Sequence, residues 1–123
     1  MRRVLIPVLI AALVNVPAAL ADDDARAKAT CGHGARAELR IRADNGSVRV
    51  EFTLRHRRAG ESWRLVVVHE RRVAWRGTVR TRGSSGSLRV RRTVRDLEGP
   101  DQITTRAAGP RGLTCAATAT LPG

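Results

Sequence analysis

Two segments flanking an Asn-Gly pair limit what this chain can fold into. Ala37, Leu39, Ile41 and Ala43 alternate with Glu38, Arg40 and Arg42; Val48, Val50, Phe52 and Leu54 alternate with Arg49, Glu51, Thr53 and Arg55. A period of two places apolar side chains on one face of an extended segment and charges on the other. Between the segments stands Asp44-Asn45-Gly46, and an Asn-Gly pair accepts the positive φ of a tight hairpin turn. The expectation is a pair of adjacent antiparallel strands with one buried face.

The same punctuation continues downstream. His56–Ser62 is a charged loop, and Trp63–His69 is apolar on both faces in its middle, as a central strand would be. Glu70-Arg71-Arg72 turns into Val73–Arg80, which carries Trp75, the second of two tryptophans. Gly83–Gly86 is a loop. Leu88, Val90 and Val94 mark the next strand, in which Arg92 breaks the inward pattern and points to an edge or a bulge. Asp96–Asp101 is a turn on Gly99-Pro100. Ile103, Thr105 and Ala107 form a short strand, and Gly109–Gly112 turns into a last one with Leu113, Cys115, Ala117, Ala119 and Leu121 on one face. No run has helical periodicity. Seven strands with a turn signal about every ten residues predict an all-β fold, a seven-stranded antiparallel sandwich of the immunoglobulin or fibronectin type III kind. A closed barrel is the alternative.

The first 21 residues have the form of a secretory signal peptide. Arg2-Arg3 precede an apolar run from Val4 to Val14, and Ala19-Leu20-Ala21 is a small-x-small cleavage site ahead of Asp22-Asp23-Asp24. An uncleaved anchor is the competing reading, but Pro7, Asn15 and Pro17 interrupt any apolar helix of about 20 residues. The expected organisation is a signal peptide at 1–21, a flexible leader at 22–30 and one β-sandwich domain at 31–123, secreted or extracytoplasmic after cleavage near Ala21. Cys31 and Cys115 are the only cysteines. In an exported chain two cysteines pair, and neither a CxxC motif nor a nearby resolving cysteine supports a metal or redox role. A bridge closing so long a loop contributes about 4 kcal/mol in the chain-entropy view.

Cys31-Gly32, Val48-Arg49-Val50-Glu51-Phe52 after the Asn-Gly turn, Trp63-Arg64-Leu65, the segment from Ser84 to Arg92 and Gly112-Leu113-Thr114-Cys115-Ala116-Ala117 together resemble small exported bacterial immunoglobulin-like proteins of uncharacterised function. The resemblance covers nearly the whole of the expected domain. It implies the sandwich and its disulfide, and carries no activity, because none of those motifs is catalytic.

Enzymatic chemistry needs convergent acids, bases or nucleophiles. His33, His56 and His69 fall in turns, loops or a strand end, and Ser47, Ser62, Ser84, Ser85 and Ser87 lack a GxSxG context. The chain is therefore expected not to be an enzyme, to take no cofactor and to have no small-molecule substrate. Cys31 and His33 alone do not make a zinc site. Asp96, Glu98 and Asp101 are more simply a solvated turn than a calcium site.

Charge is the remaining signal. The chain carries 23 basic and 11 acidic residues, net +12, and all its basic residues but Lys28 are arginines. Removal of Arg2 and Arg3 with the signal peptide leaves +10. Arg40, Arg42, Arg49, Arg55, Arg76, Arg80, Arg89, Arg91 and Arg95 fall opposite the apolar positions of their strands. If strand pairing joins them, one sheet presents a basic face able to hold a nucleic acid, cell-wall polymer or acidic lipid surface by counterion release. Glu38, Glu51 and Glu70 share the outer faces and would neutralise part of it. Stacking aromatics are scarce, with no Tyr, one Phe and two Trp. The leading expectation is thus a structural or protein-interaction module with an unknown protein partner at the cell surface. The alternative is a binder of anionic polymers through its arginines.

Overall fold

The computed structural model describes residues 23–122. The signal peptide expected at 1–21 and its expected cleavage near Ala21 lie outside the described residues.

Eight strands form two antiparallel four-stranded sheets. In chain order they are β1 (Asp24–Thr30), β2 (Arg36–Asp44), β3 (Ser47–Arg55), β4 (Ser62–His69), β5 (Arg72–Arg80), β6 (Ser87–Arg95), β7 (Asp101–Ala108) and β8 (Thr114–Leu121); a 3-10 turn, Pro110–Gly112, precedes β8. One sheet has the order β1-β2-β3-β6 and the other β5-β4-β7-β8. If β2 to β8 are lettered A to G, the sheets read A-B-E and D-C-F-G. This is an immunoglobulin-like sandwich in which the fourth strand has moved to the sheet of the third, sixth and seventh. As its two-sided apolar pattern requires, β4 lies inside its sheet, between β5 and β7.

The strand count is eight where seven were expected, and the difference is β1. Asp24–Thr30 is not a flexible leader: it pairs along its length with β2, from Asp24↔Arg42 to Thr30↔Arg36. The segment does alternate. Ala25, Ala27 and Ala29 face inward and pack on the core, while Arg26 and Lys28 point out. A methyl group is a faint hydrophobic signal, so the period of two is easily overlooked in alanines between charges.

The core is filled by the inward positions of both sheets. Trp63, Phe52, Leu39, Ile41, Leu54, Leu65, Ile103, Val48 and Val67 are fully buried. Two hairpins set their registers with left-handed turns. In the β2–β3 turn Asn45 and Gly46 have φ of 48° and 83°, the type I′ geometry their sequence favours. In the β4–β5 turn Glu70 and Arg71 adopt 50° and 69° without a glycine. That conformation is held from outside: the Glu70 N–H donates to the Gln102 carbonyl at 3.1 Å, and the Gln102 N–H donates to Glu70 Oε1 at 2.6 Å.

Cys31 and Cys115 form the disulfide, with Cα atoms 4.6 Å apart and a sequence separation of 84. Cys31 directly follows β1 and Cys115 lies in β8, the edge strands of opposite sheets. The bond therefore closes one side of the sandwich. In antibody domains the bridge instead crosses the middle of the two sheets.

Candidate anion-binding surface

Strand register decides which arginines meet. Across β2–β3–β6, Arg40 stands opposite Glu51, which stands opposite Arg91; Arg42 faces Arg49; Arg55 lies beside Ser87, Arg89 beside Thr53 and Arg95 beside Ser47. Residues paired in this way project to the same side, so Arg40, Arg42, Arg49, Arg55, Arg89, Arg91 and Arg95 share the outer face of the β1-β2-β3-β6 sheet. Arg76 and Arg80 do not join them. They lie on β5, on the outer face of the opposite sheet. A single face holding all nine is thus corrected to seven and two. The reason is topological: β5 pairs only with β4, whereas β6 crosses to pair with β3.

The face also gathers cations that strand-by-strand reading missed. Arg26 and Lys28 were hidden in the presumed leader, and Arg36 precedes the alternating run of β2; register places all three beside the others. Against these ten cations stand Asp24, Glu38, Asp44 and Glu51. Three ion pairs form, Arg40–Asp24 at 2.9 Å, Arg49–Asp44 at 3.0 Å and Arg91–Glu51 at 2.8 Å. The side-chain hydrogen bond from Arg40 holds the Asp24 carboxyl below its ordinary value. Such exposed pairs contribute little to stability. They orient guanidinium groups without neutralising the face, since among the described residues Arg36, Arg42, Arg55, Arg89 and Arg95 have no carboxylate at ion-pair distance. Arg40, Arg42, Arg49 and Arg91 line a shallow depression of about 610 Å³.

Arg64 and Arg106, which sequence reasoning did not single out, join Arg76 on the other sheet. They flank a shallow groove of about 720 Å³ with a floor of Val66, Ala108 and Ala116. Their positions follow from Val66↔Arg76, Arg64↔Ala108 and Val66↔Arg106 pairing. Isolated arginines between apolar residues signal nothing until the register aligns them.

The histidines take different places. His33 sits in an exposed turn with φ of 48°. His56 and His69 are buried, and each is hydrogen-bonded to a carboxylate at 2.7 Å, His56 to Glu61 and His69 to Asp101. Burial opposes ionisation of Glu61, yet its bonds to His56 and to Arg111, the latter at 2.9 Å, hold its carboxyl below the ordinary value. The first pair closes the β3–β4 connection on itself, and the second joins the end of β4 to the start of β7. Among the described residues no group of three or more His, Cys, Asp or Glu side chains is placed to hold a metal ion.

The chain matches no family model, no curated protein and no solved structure.

Proposed function

We propose that this chain is an exported binding module, working by docking rather than catalysis, and that its ligand is an anionic polymer held on the outer face of the β1-β2-β3-β6 sheet. The observation that carries this reading is the register that gathers seven of the nine candidate arginines, with Arg26, Lys28 and Arg36, on one surface bearing four carboxylates. Cationic side chains spaced along neighbouring strands suit a repeating anion: each phosphate, sulfate or carboxylate that docks releases counterions, and the contributions sum. The geometry favours this alternative over an unspecified protein partner, because it offers a reason for the arginines to lie where they do. The Cys31–Cys115 bridge supports an oxidising, extracytoplasmic setting. Among the described residues no helix is long and apolar enough to cross a membrane.

Heparin, as a model polyanion, tests the face. The substitutions Arg36→Gln, Arg42→Gln and Arg95→Gln remove three unpaired cations from it; Arg64→Gln, Arg76→Gln and Arg106→Gln remove the same charge from the opposite sheet. The first triple variant should elute from heparin at clearly lower salt than the second, with a shallower dependence of affinity on salt. Equal elution of the two would reduce the surface to net charge and end the proposal. Sequencing of the native N terminus tests export: cleavage after Ala21 is expected, and cytoplasmic recovery with residues 1–21 attached contradicts it.

A further inference from the structure

A smaller arginine cluster lies at the side of the sandwich where the edge strands β5 and β6 face each other. Arg55, Arg80, Arg82 and Arg89, with the hydroxyls of Thr53 and Ser87, line a cleft of about 550 Å³. The four cations come from the end of β3, the end of β5, the β5–β6 connection and β6. Among the described residues none of them has a carboxylate at ion-pair distance. Arg80 alone has a side-chain partner, donating from Nε to Ser62 Oγ at 3.3 Å. Four like charges around one cavity repel one another, and an anion placed among them relieves that repulsion.

The backbone beside the cleft is tied down. Arg82 and Ser87 exchange backbone hydrogen bonds of 2.8 and 3.0 Å. The intervening loop is fastened by the His56 N–H on the Gly86 carbonyl and the Arg57 N–H on the Ser85 carbonyl, both at 2.9 Å. Gly86 approaches so closely that a Cβ there would lie 2.1 Å from the Arg58 nitrogen. A backbone fixed in this way lowers the ordering cost of binding. The volume falls within the range of small-molecule sites and exceeds what one tetrahedral anion fills.

We propose that this cleft is a discrete site for a short chain of linked tetrahedral oxyanions, bound through paired N–H donors of the arginines, whose planar fork matches such oxygens. It goes beyond the sheet-face reading, sharing only Arg55 and Arg89 with that surface, and it predicts saturable one-to-one binding where the face predicts additive, salt-limited adhesion. Phosphate chains and sulfated saccharides supply the same chemistry.

Calorimetric titration of the oxidised protein at fixed ionic strength, with tripolyphosphate, orthophosphate and a heparin-derived sulfated disaccharide as probes, tests the site. Tripolyphosphate or the disaccharide should bind one-to-one at least about tenfold more tightly than orthophosphate, and the tighter of the two identifies the source. Arg82→Gln with Arg89→Gln should weaken that binding by about tenfold or more, the loss expected for two charge-assisted contacts, while Arg36→Gln with Arg42→Gln leaves it within about twofold. Arg55→Gln with Arg80→Gln, which leaves the loop unaltered, should reproduce the loss. Equal weakening by cleft and face variants, or no preference over orthophosphate, would overturn the site. The heparin elution of the Arg36, Arg42 and Arg95 variant is read independently, since none of those residues lines the cleft.

Discussion

Arg92 lies over the face of Trp75, its guanidinium carbon 4.2 Å from the ring centroid. Arg92 follows Leu88 and Val90 on the inward side of β6, opposite Val50, where an apolar residue would ordinarily stand. Because β5 and β6 are the edges of opposite sheets, that position opens to solvent, and the arginine closes the gap by stacking on the half-buried indole. Gly77 makes the arrangement possible: a Cβ there would come within 2.4 Å of the Trp75 ring. Arg92→Ala should therefore cost about 1 kcal/mol through lost cation–π contact and lost coverage. A fall in the urea midpoint with a red-shifted Trp75 emission checks it, and Arg92→Lys should retain part of the effect.

The edge disulfide predicts how the domain loosens. Reduction, or Cys31→Ser with Cys115→Ser, should lower stability by about 4 kcal/mol on the chain-entropy scale. Hydrogen exchange should rise first in β1 and β8, which the bond holds together, while amides around Leu65 and Ile103 in the central strands keep their protection. Peptide mapping without reductant should recover the Cys31–Cys115 link.

Acid should act at the pairing of His69 with Asp101. Burial works against the Asp101 charge, but bonds from His69, Asp96 and the Leu97 N–H overcome it and hold its carboxyl below the ordinary 3.8. A carboxylate depressed on folding contributes stability that is fully present above its unfolded value and is lost as pH falls through the folded one. The domain should thus lose stability below about pH 4, a loss that Asp101→Asn reduces while lowering stability at neutral pH. Asp96 runs the other way: its hydrogen bond and charge contact with Asp101 raise its carboxyl. Asp96→Asn should relieve repulsion and leave the neutral-pH midpoint equal or higher in a urea titration.

The β4–β5 turn offers a stabilising change. Arg71 has a φ of 69° that a Cβ disfavours by about 1 kcal/mol. Arg71→Gly should raise stability by up to about that amount, less the added freedom of the unfolded chain. Glu70→Gly, in the same turn, should lower it, because Gln102 loses the acceptor for its N–H. Thermal midpoints of the two variants should move in opposite directions.

Seven of the eight strands were legible because valine, leucine, isoleucine and phenylalanine mark a period of two strongly, and because Asn45-Gly46 names its own turn. Arg92 signals an edge or a bulge, and the structure decides for the edge, since a cation on an inward position needs an open side. Strand β1 was missed because alanines carry little hydrophobic contrast. His56 lies in the charged loop its sequence predicts, and its burial against Glu61 is a contact five residues apart that no periodicity reports. Arg82 lies outside the alternating runs, and it shares a cleft with Arg55 and Arg89 only through the pairing of β3 with β6.

By itself the sequence determined seven of the strands, the tight β2–β3 turn and the faces that must be buried. These are local properties: side-chain direction alternates along any extended chain, and the hydrophobic effect selects the face. Tertiary structure alone decided that β5 and β6 part to opposite sheets, dividing the arginines into two surfaces and a cleft. It also decided that the disulfide closes an edge and that a turn without glycine is held by its neighbour. Those outcomes depend on how sheets pair and stack, and that pairing joins residues whose distance along the chain carries no record of their nearness in space.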